Sequence, residues 1–267
     1  MKAFKPLIAI TTAILLYSCS TVPLTGRKQL SLVGDAEINQ SAAASYKQLL
    51  TDPKTKVVTG TSDAQRVKRI GNQLAVAIEK YLKDNGYADQ YNFTWEFNLI
   101  QSPEVNAWCM PGGKVAVYSG ILPVTATDAG LATVMGHEIA HAIAKHSAER
   151  MSQELAAQTG GSLIGAASST QSAATQALIS KLYGVGGQLT LLKYSRNQES
   201  EADRLGLTFM AMAGYNPNEA VAFWQRMAAQ NKGGAPPEFL STHPADATRI
   251  SAIQKAIPEA MKYYKKG

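Results

Sequence analysis

"MGHEIAHAIAKHS", Met135 to Ser147, places three of the chain's four histidines within ten residues and sets a glutamate beside the first. The sequence around it, Ala129 to about Met151, reads as a helix opened by a capping residue at Thr127 or Asp128. On a helix, His137 and His141 stand about 40° apart and project from one face. Two imidazoles so placed can grip one metal ion, with Glu138 beside them within reach of a water. His146, nine residues from His137, falls about 180° round the same helix. It is expected to pack or hydrogen-bond on the far face. The longer HExxHxxGxxH pattern is excluded, because Ala144 and Ser147 stand where its glycine and third histidine belong.

Neutral imidazoles suit zinc, which in catalytic sites takes three protein ligands and keeps a fourth position for water. Zinc brings that water's pKa toward neutrality and polarises a carbonyl, while a glutamate takes and returns the proton. The expected chemistry is peptide-bond hydrolysis without a covalent intermediate, with one zinc per chain. A third ligand has to come from elsewhere, and "YSRNQESEADRLG" offers Glu199, Glu201 and Asp203. Glu199 and Asp203 share a helical face, whereas Glu201 lies about 200° from Glu199. One face could supply a ligand together with Asp203 as acceptor for the second ring N–H of a zinc-bound histidine. Taken alone, the same stretch better suits a solvated acidic face balanced by Arg196 and Arg204.

The rest of the chain sets the context. Lys2 and Lys5 precede an apolar run from Pro6 to Leu16, which is too short to span a bilayer and has the order of an export signal. It ends in "LLYSCS", the form of a lipoprotein signal in which Cys19 is acylated, although Tyr17 is bulkier than that pattern usually carries. Loss of Lys2 and Lys5 lowers the formal net charge from +6 to +4, and the basic residues are scattered. No nucleic-acid partner is expected from that distribution. With Cys19 lipidated, Cys109 has no partner in the chain, which argues against a disulfide framework.

Along the chain, "STVPLTGRKQLSLVGD" reads as a tether or extended arm, and helices are expected over Asp35–Leu50 and Asp63–Leu82. Alternation of Phe93, Trp95, Phe97 and Leu99 with polar residues marks a half-buried strand. Pro111-Gly112-Gly113 then joins two β-like runs into a hairpin. The uncharged Leu155–Ser180 stretch reads as a small-residue helix or loop. Further helices are expected over Ser195–Ala213, Pro217–Ala229 and Pro244–Ile257. The fold class is α+β: a mainly helical domain with a small β-sheet and hairpin and an HExxH active-site helix.

In "PLTGRKQL", "NAWCMPGGKVAVYSGIL", "GHEIAHAIAKHSAER", "SRNQESEADRLG" and "STHPADATR", taken in that order, the chain resembles the M48 zinc metallopeptidases, and among them the exported bacterial lipoprotein members. The resemblance implies His137, His141 and Glu199 as zinc ligands, Glu138 as base, and Asp203 supporting a ligand histidine. It also implies one of two roles for His243: stabilising the oxyanion, or binding the metal as a removable plug. Arg249 matches an arginine that assists there, and Asn106 with "KVAVYS", including Val115, Ala116 and Val117, resembles the edge on which an extended peptide adds as a strand.

The expected organisation is a signal over 1–18, an anchored arm over 19–34 and a peptidase domain over 35–267. The expected activity is cleavage of unfolded or misassembled envelope proteins, by an enzyme lipid-anchored in the cell envelope. By resemblance the membrane is the outer one, with the protein facing the periplasm alongside envelope protein partners. The alternative is a latent, chaperone-like binding protein using the same groove with little turnover. Glu138, the base such a protein would be expected to lose, favours the enzyme.

Overall fold

Thr61 accepts a hydrogen bond from the backbone N–H of Ala64, 3.2 Å away, and so starts α2 (Ser62–Asp84), one helix after α1 (Asp35–Thr51). Val67, Ile70, Leu74 and Ile78 recur at helical spacing and are all fully buried. Each such side chain contributes about 1.5–3 kcal/mol of apolar burial. The computed structural model describes residues 19–158, 177–178, 194–230 and 237–265. The signal expected over 1–18 and most of the 155–180 stretch lie outside these. No helix among the described residues is long and apolar enough to cross a membrane.

A short hairpin comes first, β1 (Cys19–Thr21) antiparallel to β2 (Lys28–Leu30). The main sheet runs β3 (Val57–Val58), β4 (Glu96–Ile100), β6 (Lys114–Tyr118) and β5 (Ala107–Met110) in that spatial order. β4 and β6 are parallel, and the other two pairings are antiparallel. The expected hairpin is therefore present, and the strand after it turns inward to pair with β4. The Tyr46 hydroxyl pins α1 to this sheet by donating to the Val115 carbonyl at 2.7 Å and accepting from Asn98 Nδ2 at 3.1 Å. Ahead of β4, the alternating aromatics form a stacked ladder, Tyr91 on Phe93 on Trp95 on Phe97, with ring centroids 5.3, 4.4 and 5.9 Å apart. The regular strand starts only at Glu96, three residues later than the alternation begins.

After the short α3 (Leu122–Thr125), Ala126 adopts φ 59° and ψ −56°, and the Thr127 N–H donates to the Thr125 carbonyl across it at 2.6 Å. That is a γ-turn of the rare, strained hand. It delivers Thr127, whose hydroxyl accepts from the Gly130 N–H, as the cap of α4 (Asp128–Ile143). The helix expected to run unbroken to Met151 stops at Ile143. Lys145 takes φ 52°, and α5 (His146–Gln158) begins at the next residue. α6 (Arg196–Met212) starts with a capping box between Ser195 and Gln198. α7 (Glu219–Ala229), the short α8 (Glu238–Thr242) and α9 (Ala247–Ala260) complete the helical body. α9 starts three residues after the expected Pro244, because Asp246 supplies the cap by accepting from the Arg249 N–H.

α4 and α6 cross at their glycines. A Cβ on Gly206 would stand 2.9 Å from the backbone nitrogen of His137, and one on Gly136 would stand 3.1 Å from the Gly206 carbonyl oxygen. Two bare helix backbones thus meet beside the first histidine. The acids of α6 are brought against the histidines of α4 by this contact.

Candidate metal centre

Within the helical core, His137, His141, Glu199 and His243 each offer a ligand atom, and the four atoms lie within 4.8 Å of one another with all four residues buried. Nε2 of His137 and Nε2 of His141 are 3.2 Å apart, and each is 3.5 Å from an oxygen of Glu199. Ligand atoms about 2.0–2.1 Å from one tetrahedral ion stand about 3.3 Å from each other. The three side chains therefore have the spacing and the donor chemistry to hold a divalent metal. Nδ1 of His243 lies 3.3 Å from His137 Nε2 and 2.9 Å from both oxygens of Glu199, in the place of a fourth ligand.

Glu138 sits at the edge of this set. It is buried, and its Oε1 has no hydrogen-bond partner among the described residues; Nε2 of His243 lies 3.6 Å away. Burial raises its pKa, with His243 and His137 pulling the other way. A buried acceptor with a raised pKa and no donor is poised to take a proton from a water that enters.

Each candidate ligand is held from behind. Asp203 lies 3.0 Å from Nδ1 of His137, so the histidine donates there and turns Nε2 toward the cluster. Burial opposes charge on His137, but Asp203 and Glu199 outweigh it and lift its pKa to about 9, the same pull they offer a metal cation. Glu199 is driven well below the usual carboxylate range: burial pushes it up, and His243, His137 and His141 more than reverse that. Arg249 grips Asp203 with two bonds of 2.8 and 2.9 Å and reaches Glu199 at 3.1 Å. Its guanidinium lies over the Trp224 ring, 3.6 Å from the centroid. Burial, joined by the neighbouring His137, His146 and His243 and opposed by Glu199, depresses His141 far below the ordinary imidazole value, and Tyr194 stacks on its ring at 4.0 Å.

Several readings of the sequence need correction. Val115, Ala116 and Val117 are not on a sheet edge, because β6 lies between β4 and β5 and all three are fully buried. The outer strand on that side is β5, which follows Asn106; the Asn106 side chain accepts from the Ala107 N–H and its carbonyl accepts from Tyr118. The 19–34 arm is a hairpin docked on the body, with Cys19 opening β1 and Arg27 bonded to Glu149 and Glu201. The acids of α6 are not solvated: Glu199, Glu201 and Asp203 are all buried. His146 stays outside the four-ligand set, yet the break at Lys145 swings it behind His141, Nδ1 to Nδ1 at 2.8 Å. Trp224 lay outside every motif, and Gly136 and Gly206, although inside quoted stretches, were assigned no role, as was the bond between Glu201 and His146. Glycines inside helices, which cost about 1 kcal/mol each, were the available signal for the crossing.

Comparison with known proteins agrees with this geometry. Over 241 residues the chain is 32% identical to the mitochondrial metalloendopeptidase OMA1 of Schizosaccharomyces pombe, covering 90% of this chain and 66% of the relative. It is 32% identical over 249 residues to the mitochondrial metalloendopeptidase OMA1 of Homo sapiens, covering 90% and 46%. With the beta-barrel assembly-enhancing protease of Yersinia pestis it shares 29% identity over 227 residues, covering 82% and 42%. The chain spans less than two thirds of the length of these relatives. Residues 62–257, which run from the start of α2 through α4 and α6 to the end region of α9 and so include every ligand described above, match Peptidase family M48, and the chain belongs to that family.

Proposed function

We propose that the protein is a zinc-dependent endopeptidase, and the observation that carries this is the convergence of His137, His141 and Glu199 at tetrahedral ligand spacing beside the buried carboxylate of Glu138, whose Oε1 has no hydrogen-bond partner among the described residues. Bound there, zinc would supply Lewis acidity, easing ionisation of a water and polarising a peptide carbonyl. Glu138 takes the proton from the attacking water and passes it to the leaving amine. Asp203 fixes the tautomer of His137, and Arg249 holds Asp203 and Glu199 in register. An extended substrate segment adds along β5, the outer strand, with Asn106 shaping its start. Backbone pairing of that kind favours unfolded segments over folded ones.

His243 gives the site a resting form. Its Nδ1 lies where a fourth ligand would sit, which supports the plug over the oxyanion role in this conformation. A latent state of this sort is what remains of the chaperone-like alternative. For location, an acylated Cys19 would anchor the chain in the cell envelope, at the outer membrane facing the periplasm. Unfolded or misassembled envelope proteins would then be its substrates and partners. The Yersinia pestis relative, a beta-barrel assembly-enhancing protease, is in keeping with this.

The test is metal content and proteolysis together. Purified protein should carry about one zinc per chain, and His137→Ala should abolish it. Glu138→Gln should keep the zinc and lose about 10²–10⁴-fold in turnover of an unfolded protein. A folded wild type that binds no zinc, or a Glu138→Gln variant that cleaves normally, would overturn the reading.

A further inference from the structure

We propose that Arg27, on the N-terminal hairpin, is a positioning residue for His141 and acts on it through Glu201 and His146. The inference rests on His141 being a metal ligand, as proposed above. Its basis is a continuous line of hydrogen bonds running from the hairpin to the metal centre.

The line starts at His141. Its Nε2 faces His137 and Glu199, so as a neutral ligand it must carry its hydrogen on Nδ1. That Nδ1 lies 2.8 Å from Nδ1 of His146, which must then be the acceptor. His146 in turn carries its hydrogen on Nε2, 3.0 Å from Oε2 of Glu201, a carboxylate that can only accept. Each tautomer follows from its neighbour, and no bond in the line has two competing donors.

Glu201 is almost fully buried and is itself held by the hairpin. Arg27 Nε donates to its Oε2 at 2.6 Å, and the Thr25 hydroxyl donates to Oε1. The other two nitrogens of the same guanidinium donate to Glu149, at 2.8 and 2.9 Å, and Gln198 donates to Glu149 at 2.8 Å. Arg27 is thus a planar fork shared by two buried carboxylates, one on α5 and one on α6. Without it, two negative charges would face each other in the interior, and Glu201 would lose the partner that fixes its orientation toward His146.

The turn that carries these side chains is built to hold them. Leu24 takes φ 66° while the Thr25 N–H donates to the Pro23 carbonyl across it at 2.8 Å, an unfavourable local conformation for a leucine. Val22 is buried in the main core, which fixes one end of the turn. His137 thus receives its orienting carboxylate from its neighbouring helix, whereas His141 receives one through an imidazole relay that a segment some 115 residues upstream completes. In this reading the hairpin is part of the metal site's support.

The experiment compares zinc affinity by chelator competition, kcat and KM separately, and melting of the metal-free protein, in full-length wild type and four variants. Arg27→Ala and His146→Leu should each weaken zinc binding about 10–100-fold and lower kcat while KM changes little. His146→Gln, whose amide can accept from His141 and donate to Glu201, should recover most of that loss. Arg27→Lys, which keeps the charge without the fork, should fold as wild type and release zinc several-fold faster. Wild-type zinc affinity and kcat in Arg27→Lys, or equal losses in His146→Gln and His146→Leu, would overturn the proposal even if the more drastic variants failed to fold. A wild type that binds no zinc would instead overturn the enzyme reading, and the relay with it.

Discussion

Replacing Gly206 with alanine tests how the two ligand-bearing helices are brought together. The added methyl would stand 2.9 Å from the His137 nitrogen and 3.1 Å from both the His137 Cα and the Gly136 carbonyl carbon. Non-bonded carbon pairs are at ease at about 3.5–4.0 Å, so the helices must part by roughly 0.5–1 Å. All three neighbours are backbone atoms, and no side-chain rotation can absorb the shift. Alanine gains about 0.5–1 kcal/mol over glycine within a helix, and overpacking costs about 1–3 kcal/mol. The net loss of stability is about 0–2.5 kcal/mol, a drop of at most several degrees in melting temperature.

The displacement, however, falls between the helix holding His137 and His141 and the helix holding Glu199. Metal–ligand distances tolerate only about ±0.2 Å. A shift several times larger should weaken zinc binding at least about tenfold and cut turnover by about 100-fold. Chelator competition, with melting curves recorded with and without zinc, separates the two effects. Gly34→Ala, where a Cβ would meet nothing within 4 Å, is the control. If Gly206→Ala binds zinc as tightly as wild type, the close crossing does not set the ligand geometry.

Other outcomes follow from the same structure. His243→Ala should raise turnover of an unfolded substrate several-fold if the histidine plugs the site, read from initial rates; a fall would favour the oxyanion role. Burial, the largest single influence, raises the Asp128 pKa, but Arg69 and Arg66 together outweigh it and pull the carboxyl below the usual carboxylate range. A lowered folded-state pKa adds stability above the unfolded value of about 4 and loses it as pH falls through the folded value. Asp128→Asn should therefore lower the melting temperature at pH 7 and converge with wild type in strong acid. The side chain is 43% exposed, so the difference should stay within about 1 kcal/mol.

The parts of the site that local periodicity determines could be read from the sequence. His137, Glu138 and His141 follow from helical spacing alone, and the sheet hairpin from its Pro-Gly-Gly turn. Glu199 was legible only with the family resemblance, since three acids in one short helix offer a metal no unique choice. His146 was misplaced because "AIAKHS" contains no glycine or proline, while Lys145 nonetheless takes a left-handed φ that ends the helix. The hairpin around Arg27 has the Pro, Gly and Thr composition of a linker, yet it docks on the body through carboxylates 122 and 174 residues away and through the burial of Val22. Nor could strand order be inferred: the β5–β6 hairpin is local, whereas the parallel β4–β6 pairing that buries Val115 to Val117 is set by packing on both faces.

The anchoring of His243 bears on how fast the resting form can open. Its own N–H is bonded to the Phe239 carbonyl at 2.8 Å, and the carbonyl of the next residue, Pro244, accepts from Arg249 at 3.1 Å. Arg249 is in turn clamped to Asp203 and Glu199 and seated on Trp224. With the backbone held on both sides, a plugging ring would leave by a local swing of its side chain, without a domain having to move. A local swing of this kind would be fast against a turnover. Latency would then show as a uniform reduction in apparent affinity, set by the fraction of molecules open, and progress curves would run straight from the first seconds with no activation lag.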